Sequence, residues 1–290
     1  MSRIMPRFPI YIPSKGRADC CFTAKFLSSN SVPFFLVVES QEAHEYASTY
    51  GDACLLILPC NGKGSVVPAC NWIKEHAAQR GAERHWQLDD NIMHLAYCWY
   101  GNRIRCEARI ALAVCEDFTD RYANIAISGL VYDMFVPPTR YHPAYRVNVP
   151  IYSCMLLRTQ MPYEWRGPYN EDADYFLQVL RGGWCTARLN VFCCKKVQTM
   201  TMRGGNTDRL YRQDGRTKMA ISLAERWPGI VSVHRRYGRM QHTIERSHAM
   251  FKQQLVLHDG VNLNNIPPND YGLVLLYDDA RRRQEVFDNQ

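Results

Sequence analysis

Two adjacent carboxylates and an amide, Asp89, Asp90 and Asn91, directly follow a strand-like run at residues 85–88. Neighbouring carboxylates repel each other, so they need a cation, an arginine or a proton close by. A divalent metal ion that holds a diphosphate is one common solution. A turn with a helix cap is the plainer interpretation, because Asp and Asn favour both. The surrounding elements must decide between the two.

A second acidic group, Glu171, Asp172 and Asp174, stands at the start of a predicted helix. Carboxylates there stabilise the helix dipole and cap free N–H groups, which is a sufficient reason for their presence. The preceding loop, residues 165–169, is rich in aromatic side chains. Aromatic rings beside a carboxylate can stack on a sugar and raise the pKa of the carboxyl toward that of a general base. The pattern therefore indicates either a helix start or a catalytic base.

Cations occupy turns that follow predicted strands. Lys15 and Arg17 follow the first strand, and Lys63 lies in a glycine turn after the third. Lysine and arginine side chains in such turns can bind diphosphate oxygens. Each of them taken alone is more often a solvated surface residue. The aromatic and basic run at residues 140–146 fits contact with a nucleic-acid acceptor. Later basic residues are Arg203, Arg235, Arg236 and Arg239.

Histidine and cysteine give weaker signals. His234 and His242 are candidate metal ligands, but a lone histidine is more often structural. The 12 cysteines include no C-x-x-C pair, so the usual zinc spacings are absent. Most of them sit in apolar runs, which predicts reduced core thiols in a cytosolic protein.

The first 90 residues alternate strand and helix. Strands are predicted at residues 8–13, 32–39 and 54–58 and in the run ending at Asp89, with helices at residues 18–29, 43–51 and 65–81. This alternation predicts an open, mainly parallel sheet with right-handed crossovers. Its strand ends should gather along one edge, where open α/β sheets bind ligands. The G-x-G-x-x-G fingerprint is missing and residues 62–65 lack the P-loop spacing, which argues against dinucleotide-binding dehydrogenases and P-loop enzymes.

The rest of the chain is predicted to continue the same fold. Helices are expected at residues 107–122, 175–180 and 218–227, and strands at residues 125–135, 147–158, 184–201 and 231–233. Residues 255–290 resemble a C-terminal extension of a domain that spans residues 1–254.

Composition describes a globular protein of 290 residues with a net charge of +7. A basic balance is compatible with an anionic partner such as nucleic acid or a phosphorylated ligand. No apolar run approaches the length of a membrane span, and no signal peptide is evident, so we expect a cytoplasmic protein without a membrane partner. No obligate protein partner is inferred.

The order of these motifs resembles glycosyltransferases of the GT-A fold, in particular family-2-like members. The resemblance covers about residues 8–188 and rests on the run from Gly62 through Asn71 to Asp90, and on the later acidic group at residues 170–174. Residues 10–17 and 88–91 are most similar to phage glycosyltransferases associated with TET-type oxygenases, which glycosylate 5-hydroxymethylcytosine in DNA. The implied fold is an α/β/α sandwich with a mostly parallel, Rossmann-like sheet. Its first 100 residues would bind the nucleotide sugar, and residues 101–254 the acceptor.

The resemblance also implies roles for individual residues. The donor, expected to be UDP-linked, would be bound by Pro13, Ser14, Lys15, Arg17, Glu39, Lys63, Asn71 and Asp89. Mn²⁺ or Mg²⁺ would be held by Asp90, Asp89, Asn91 and His234. Asp172, supported by Glu171 and Asp174, would be the base of an inverting transfer. The motif is Asp-Asp-Asn here rather than Asp-x-Asp, so Asn91 would replace a carboxylate ligand.

The favoured acceptor is the hydroxyl of 5-hydroxymethylcytosine in double-stranded DNA. One alternative is a glycosyltransferase that acts on a glycan or polysaccharide. The other is a nucleic-acid-binding module on an inactive transferase fold. Asn91, which replaces a carboxylate ligand, supports this alternative.

Overall fold

The N-terminal half alternates strand and helix, as the sequence predicts. The computed structural model describes residues 4–59, 65–99, 101–136, 143–198, 201–202, 215–236 and 238–266. The first elements are β1 (Ile10–Pro13), α1 (Phe22–Ser29), β2 (Phe35–Glu39), α2 (Ala43–Tyr50), β3 (Leu55–Leu58), α3 (Val67–Gln79) and β4 (Arg84–Leu88). The four strands pair in parallel in the order β3-β2-β1-β4. Their carboxyl ends therefore lie along one edge of the sheet.

The second half extends this sheet with strands of both directions. Its elements are β5 (Ile92–Trp99), β6 (Asn102–Cys106), α4 (Ala108–Thr119), β7 (Ile125–Tyr132), β8 (Tyr145–Val147), β9 (Cys154–Arg158), α5 (Glu171–Arg181), β10 (Cys185–Lys196), α6 (Gly215–Arg226), β11 (Val231–Arg236) and β12 (Arg239–Ile244). The ten-stranded sheet has the order β3-β2-β1-β4-β9-β7-β10-β5-β6, and β8 also pairs with β10. Strands β9, β5 and β8 run opposite to the others. The predicted α/β fold with a mostly parallel central sheet is confirmed.

Helices cover both faces of the sheet, which gives three layers. In β1, Ile10 and Ile12 face one side, and the intervening Tyr11 faces the other, because strand side chains alternate. The first face packs against residues of α1, α2 and α4. The second packs against α3 near β1 and against α5 near β7 and β9. Burial on both faces explains the continuous apolar runs of the early strands.

Strands β5 and β6, at residues 92–106, were not predicted. They pair with each other, and β5 pairs with β10. β6 is the edge strand and is almost entirely exposed, so it lacks the apolar pattern that signals a strand. The adjoining strand β10 is one long strand whose pairing register shifts between Leu189 and Cys193 and again between Lys195 and Lys196.

A two-stranded hairpin, β11–β12, stands beside the main sheet. Its base is fixed to α6, since the amide of Val231 donates to the carbonyl of Trp227 at 2.9 Å and both side chains are buried. The chain turns at Gly238, which has a φ of +74° that suits glycine. The sequence predicts only the first of these two strands.

The predicted boundary at residue 254 stays a prediction. Beyond it, Leu257 forms a β-bridge with Tyr122, and Leu255 packs against the main core. The cysteines of the described region are free thiols, most of them buried. No helix within the described residues is long and apolar enough to cross a membrane.

Candidate active site

A cavity of about 500 Å³ lies at the carboxyl ends of β1, β2 and β4, where the parallel strands were expected to meet. Most of the predicted site residues line it: Pro13, Ser14, Lys15, Arg17, Glu39, Asp89, Asp90, Asn91, Glu171 and Asp172. Residues more than 150 positions apart thus share one site. Lys63 lies outside the described residues.

Asp90 is engaged by the loop that follows β1. Arg17 Nη1 donates to Asp90 Oδ1 at 2.6 Å, and Ser14 Oγ donates to Asp90 Oδ2 at 2.8 Å. Ser14 in turn shares a hydrogen bond with the hydroxyl of Tyr46 at 2.7 Å. Burial raises the pKa of Asp90 and Arg17 opposes that rise. We treat the pair as ionised, because a guanidinium at this distance favours the carboxylate. Each oxygen of Asp90 therefore already accepts one hydrogen bond from the protein, and the expected role of Asp90 as a metal ligand stays a prediction.

Asp89 faces the cavity and is paired with a lysine that sequence analysis missed. Its side chain is 45% exposed, whereas that of Lys196 at the end of β10 is only 10% exposed. Lys196 Nζ lies 3.1 Å from Asp89 Oδ2 and donates to Ser153 Oγ at 2.7 Å. Burial acts to raise the pKa of Asp89, but Lys196 and Ser153 outweigh it and the pKa falls below its ordinary value. The ammonium group of Lys196 is thus a positive charge that the protein itself supplies to the site.

Ser153 and Asn170, which both line the cavity, hold left-handed backbone conformations. Their φ values are +67° and +52°, which few residues other than glycine adopt. Asn170 precedes α5, and its side-chain amide donates to the carbonyl of Met219 at 2.7 Å. Such conformations persist only where neighbouring contacts hold them, and they are common at functional sites.

Glu171 and Asp172 open α5 and project carboxyl groups into the cavity. Burial, followed by the charge of Asp172, raises the pKa of Glu171 to about 8. Burial also raises the pKa of Asp172 to about 6, where Asp89 adds to the rise and Lys196 opposes it. Both pKa values are therefore raised, and the neighbouring carboxyl groups titrate as a pair. Near neutral pH such a pair favours holding one proton between its two groups, which leaves one carboxylate able to accept a proton.

Lys15 and Glu39 form the pair nearest the ends of β1 and β2. Lys15 Nζ donates to Glu39 Oε2 at 2.6 Å, and Glu39 is only 4% exposed. The side chain of Gln41 also donates to Glu39 Oε2, and the Gly16 amide donates to Glu42 Oε2 at 2.6 Å. These contacts fix the turn at residues 14–17 against the start of α2.

Asp174 does not line the cavity, contrary to the expectation for a catalytic residue. It is fully buried and accepts hydrogen bonds from Arg166 Nε at 2.8 Å, Trp227 Nε1 at 2.7 Å and Gln178 Nε2 at 2.9 Å. A carboxylate with this many donors is a structural anchor, here joining α5 to α6. Asp174 was a candidate because it is one of three acidic residues at the start of this helix.

Asn71 and the aromatic loop also have structural positions. The Asn71 side chain donates to the carbonyl of Trp165 and accepts from its amide, both at 2.9 Å. The Trp165 ring is buried and stacks on Tyr175, with centroids 4.5 Å apart. Trp165 is therefore a core residue rather than a sugar platform, and Asn71 acts on the site only by holding this loop.

The hairpin brings His242 to the cavity instead of His234. His234 is exposed and shares a hydrogen bond with Ser232 at 2.8 Å, and it is not among the lining residues. His242 on β12 pairs with Val233 on β11 and lies on the face of the hairpin that meets the cavity. Burial lowers the pKa of His242, which favours the neutral imidazole.

The cavity offers oxygen ligands of the kind that a divalent cation takes. No three His, Cys, Asp or Glu side chains of the described region are grouped to hold a metal ion. Mg²⁺ and similar ions need no such cage, since they commonly bridge one or two protein oxygens and substrate phosphates. Asp89 is accessible, and the buried Oδ1 of Asn91 lacks a hydrogen-bond partner within the described ranges. Asp89, Asp90 and Asn91 all line the cavity and carry oxygens that suit a cation shared with a diphosphate, whereas His234 does not line it.

Aromatic and apolar side chains form the remaining wall, at the end of β7. Tyr132, Phe135 and Tyr152 line the cavity, with Phe135 perpendicular to Tyr132 at a centroid distance of 5.6 Å. Phe135 is 48% exposed and Met134 is 67% exposed. Asp133 holds this turn through Lys195, whose Nζ lies 2.9 Å from Asp133 Oδ2. This wall can therefore pack against a flat, partly apolar group in the cavity that the carboxylates of α5 also line.

Comparison with known proteins identifies the family. The family model described as TET-Associated Glycosyltransferase matches residues 8–205, which include all the carboxylates that line the cavity. No curated protein sequence matches the chain. A crystal structure of mannose-1-phosphate geranyltransferase from Thermus thermophilus matches with 16% identity and a TM-score of 0.30, over 63% of this chain and 57% of that one. This structural likeness is too low to carry an argument. The family match extends over most of the chain, and the protein belongs to the TET-associated glycosyltransferase family.

Proposed function

We propose that this glycosyltransferase transfers a sugar to the hydroxyl of 5-hydroxymethylcytosine in DNA. The donor is a nucleotide-diphosphate sugar in which the nucleotide is UDP. The observation that carries the proposal is that two neighbouring carboxyl groups on α5, both with raised pKa values, line the same cavity as Asp89 and Lys196. A base, a cation and a strand-end carboxylate in one cavity are the groups that a direct sugar transfer needs.

The donor would lie across the carboxyl ends of β1, β2 and β4. Glu39 is a buried acceptor for the N–H or hydroxyl groups of the nucleoside, and Lys15 beside it suits an anionic oxygen. Lys196 lies deeper, where it meets the diphosphate near the bond that breaks. Asp89 and Asn91 would hold Mn²⁺ or Mg²⁺ there, and when bound this ion offsets charge that develops on the diphosphate.

The transfer itself would be a single displacement that inverts the anomeric carbon. Asp172 accepts the proton of the acceptor hydroxyl while the acceptor oxygen forms its bond to the anomeric carbon. The bond between that carbon and the diphosphate oxygen breaks, and its electron pair remains on the diphosphate. Lys196 stabilises this charge by lying in a site that is already organised before the reaction. Burial and the charge of Asp172 raise the pKa of Glu171, which favours a proton on Glu171 and so disfavours a second negative charge beside the base.

The acceptor would enter from the wall formed by the end of β7. Tyr132, Phe135 and Tyr152 suit the faces of a nucleobase, because aromatic side chains stack on every base. A base within a duplex is reached by chemistry only after it leaves the stack, so the cavity must admit a single nucleotide. The net charge of +7 is consistent with a polyanionic acceptor.

The test combines a panel of nucleotide sugars with a duplex that contains 5-hydroxymethylcytosine, followed by digestion to nucleosides and mass spectrometry. Wild-type protein is expected to add one hexose to the modified nucleoside and none to cytosine. Asp172→Asn is expected to abolish this product while retaining donor binding in calorimetry. Transfer to a glycan with none to the modified duplex would overturn the proposed acceptor.

A further inference from the structure

The tip of the β11–β12 hairpin concentrates positive charge. The pairing register sets Arg236 directly opposite Arg239 and Arg235 opposite Met240, and the three arginines are exposed. Like charges that face each other across a strand pair destabilise it. No carboxylate of the described region pairs with any of the three. The arrangement is therefore costly for the isolated protein, and an anion from outside would relieve the repulsion.

The same hairpin reaches the catalytic cavity. His242 lines the cavity, and Arg239 lies three residues before it on β12. At about 3.3 Å per residue of strand, the tip is about 10 Å from the cavity wall. The other end of the hairpin is held by α6 through the buried Trp227 and Val231. The arginines thus project from a fixed base at a defined distance from the site of transfer.

We propose that Arg235, Arg236 and Arg239 bind the phosphates of duplex DNA that flank the acceptor nucleotide. Guanidinium groups match phosphate geometry with two parallel hydrogen bonds, and contacts to phosphates carry no sequence information directly. This surface rests on the proposed function, since it orients a duplex so that one nucleotide meets the cavity. It differs from the cavity itself, which would recognise the modified base.

Salt dependence gives the sharpest measurement. Binding of an unmodified duplex is followed by fluorescence anisotropy between about 50 and 300 mM salt, a range that we choose to span physiological ionic strength. Each phosphate contact contributes about 0.9 to the slope of log affinity against log salt. In the double variant Arg236→Gln/Arg239→Gln, the slope is expected to fall by about 2, and the affinity on the order of tenfold at about 150 mM.

A matched double variant, Arg80→Gln/Lys252→Gln, removes the same charge elsewhere. Arg80 follows α3 just before β4 begins, so it lies at the sheet edge opposite the cavity. Lys252 is exposed and lies near the C-terminal end of α5, where its neighbour Gln253 donates to the carbonyl of Leu180 at 2.6 Å. This control is expected to retain the wild-type slope. Equal losses in both doubles, or an unchanged slope in the hairpin double, would overturn the proposal.

A transfer assay distinguishes a failure of this proposal from a failure of the proposed function. Transfer to the modified duplex is measured in parallel, and the hairpin double is expected to raise the KM for duplex while kcat stays within about twofold. Failure of the wild-type protein to modify the duplex would overturn the proposed acceptor and leave the anisotropy result to decide the arginine surface. A loss of kcat with an unchanged KM would overturn the surface, because it would place the arginines in the chemistry.

Discussion

Replacing Glu171 by glutamine should stabilise the protein in alkaline solution and leave it unchanged in acid. The folded-state pKa of Glu171 is about 8, against an ordinary value of 4.5. Between these pH values the folded protein holds a proton that the unfolded chain has released. The free energy of unfolding therefore falls by about 1.4 kcal/mol per pH unit as the pH rises through this interval. Below about pH 4.5 both states are protonated and the carboxyl group has no such cost.

The size of the effect follows from the setting of Glu171. The full difference in pKa corresponds to about 5 kcal/mol, which is an upper bound. Glu171 shares its protonation with Asp172 and faces a cavity that water enters, so we expect about 2 kcal/mol for Glu171→Gln at about pH 9. For a chain of this size that gain raises Tm by about 5 °C.

Thermal unfolding followed by circular dichroism at about pH 4.5 and about pH 9 measures this difference. Glu75→Gln serves as the control, because Glu75 is an exposed glutamate on α3 and should show no pH-dependent gain. An equal gain at both pH values would show that glutamine acts through packing. No gain in the alkaline sample would show that the carboxyl is not strained in the folded state. Either result would refute the assignment of Glu171 as a protonated neighbour of the base.

Three further substitutions test the site. Asp172→Asn is expected to lower kcat by about 10³-fold, within the range for a lost general base, with the donor Kd unchanged in calorimetry; an unimpaired kcat would remove Asp172 from the mechanism. Lys196→Met is expected to weaken donor binding. It should also move the acid limb of the kcat/KM profile above about pH 6, because Lys196 lowers the pKa of Asp172. An unmoved acid limb in a pH–rate profile would contradict this effect of Lys196 on Asp172. Arg17→Met is expected to cost about 3 kcal/mol in urea unfolding by leaving Asp90 buried without its cation, and much less when Asp90→Asn is also present; additive losses would show that the pair is not coupled.

The fold was predictable where the pattern of burial repeats along the chain. Strands β1, β2 and β3 are apolar runs that stand out in the sequence, and β4 is recognised by its place after α3. Their parallel order puts the turn at Arg17 and the acids at Asp89 on one edge. β6 could not be found in this way, because an exposed edge strand carries no apolar signal. The N-terminal half of the site was therefore predicted in more detail than the acceptor side.

The roles of single residues depended on tertiary contacts as well as on spacing. Residues two apart in a helix point about 200° away from each other, so Asp172 and Asp174 could not both face the cavity. Tertiary contacts decide which one does, since Arg166 and Trp227 enclose Asp174. Lys196 meets Asp89 only because β10 pairs in the middle of the sheet, 107 positions further along the chain. No local motif surrounds Lys196, and a lysine that ends an apolar strand was its only signal.

Strand β10, which carries Lys196, is paired on both sides by β7 and β5 and also meets β8. Amides in such a central strand exchange with solvent only when much of the domain opens. Lys196 lies at the carboxyl end of this strand, beyond Cys194, where the pairing with β7 ends, and beyond a register shift in the pairing with β5. The cation that faces Asp89 is therefore carried by a protected strand but at its less protected end, and its amide should exchange with solvent before those in the middle of the strand.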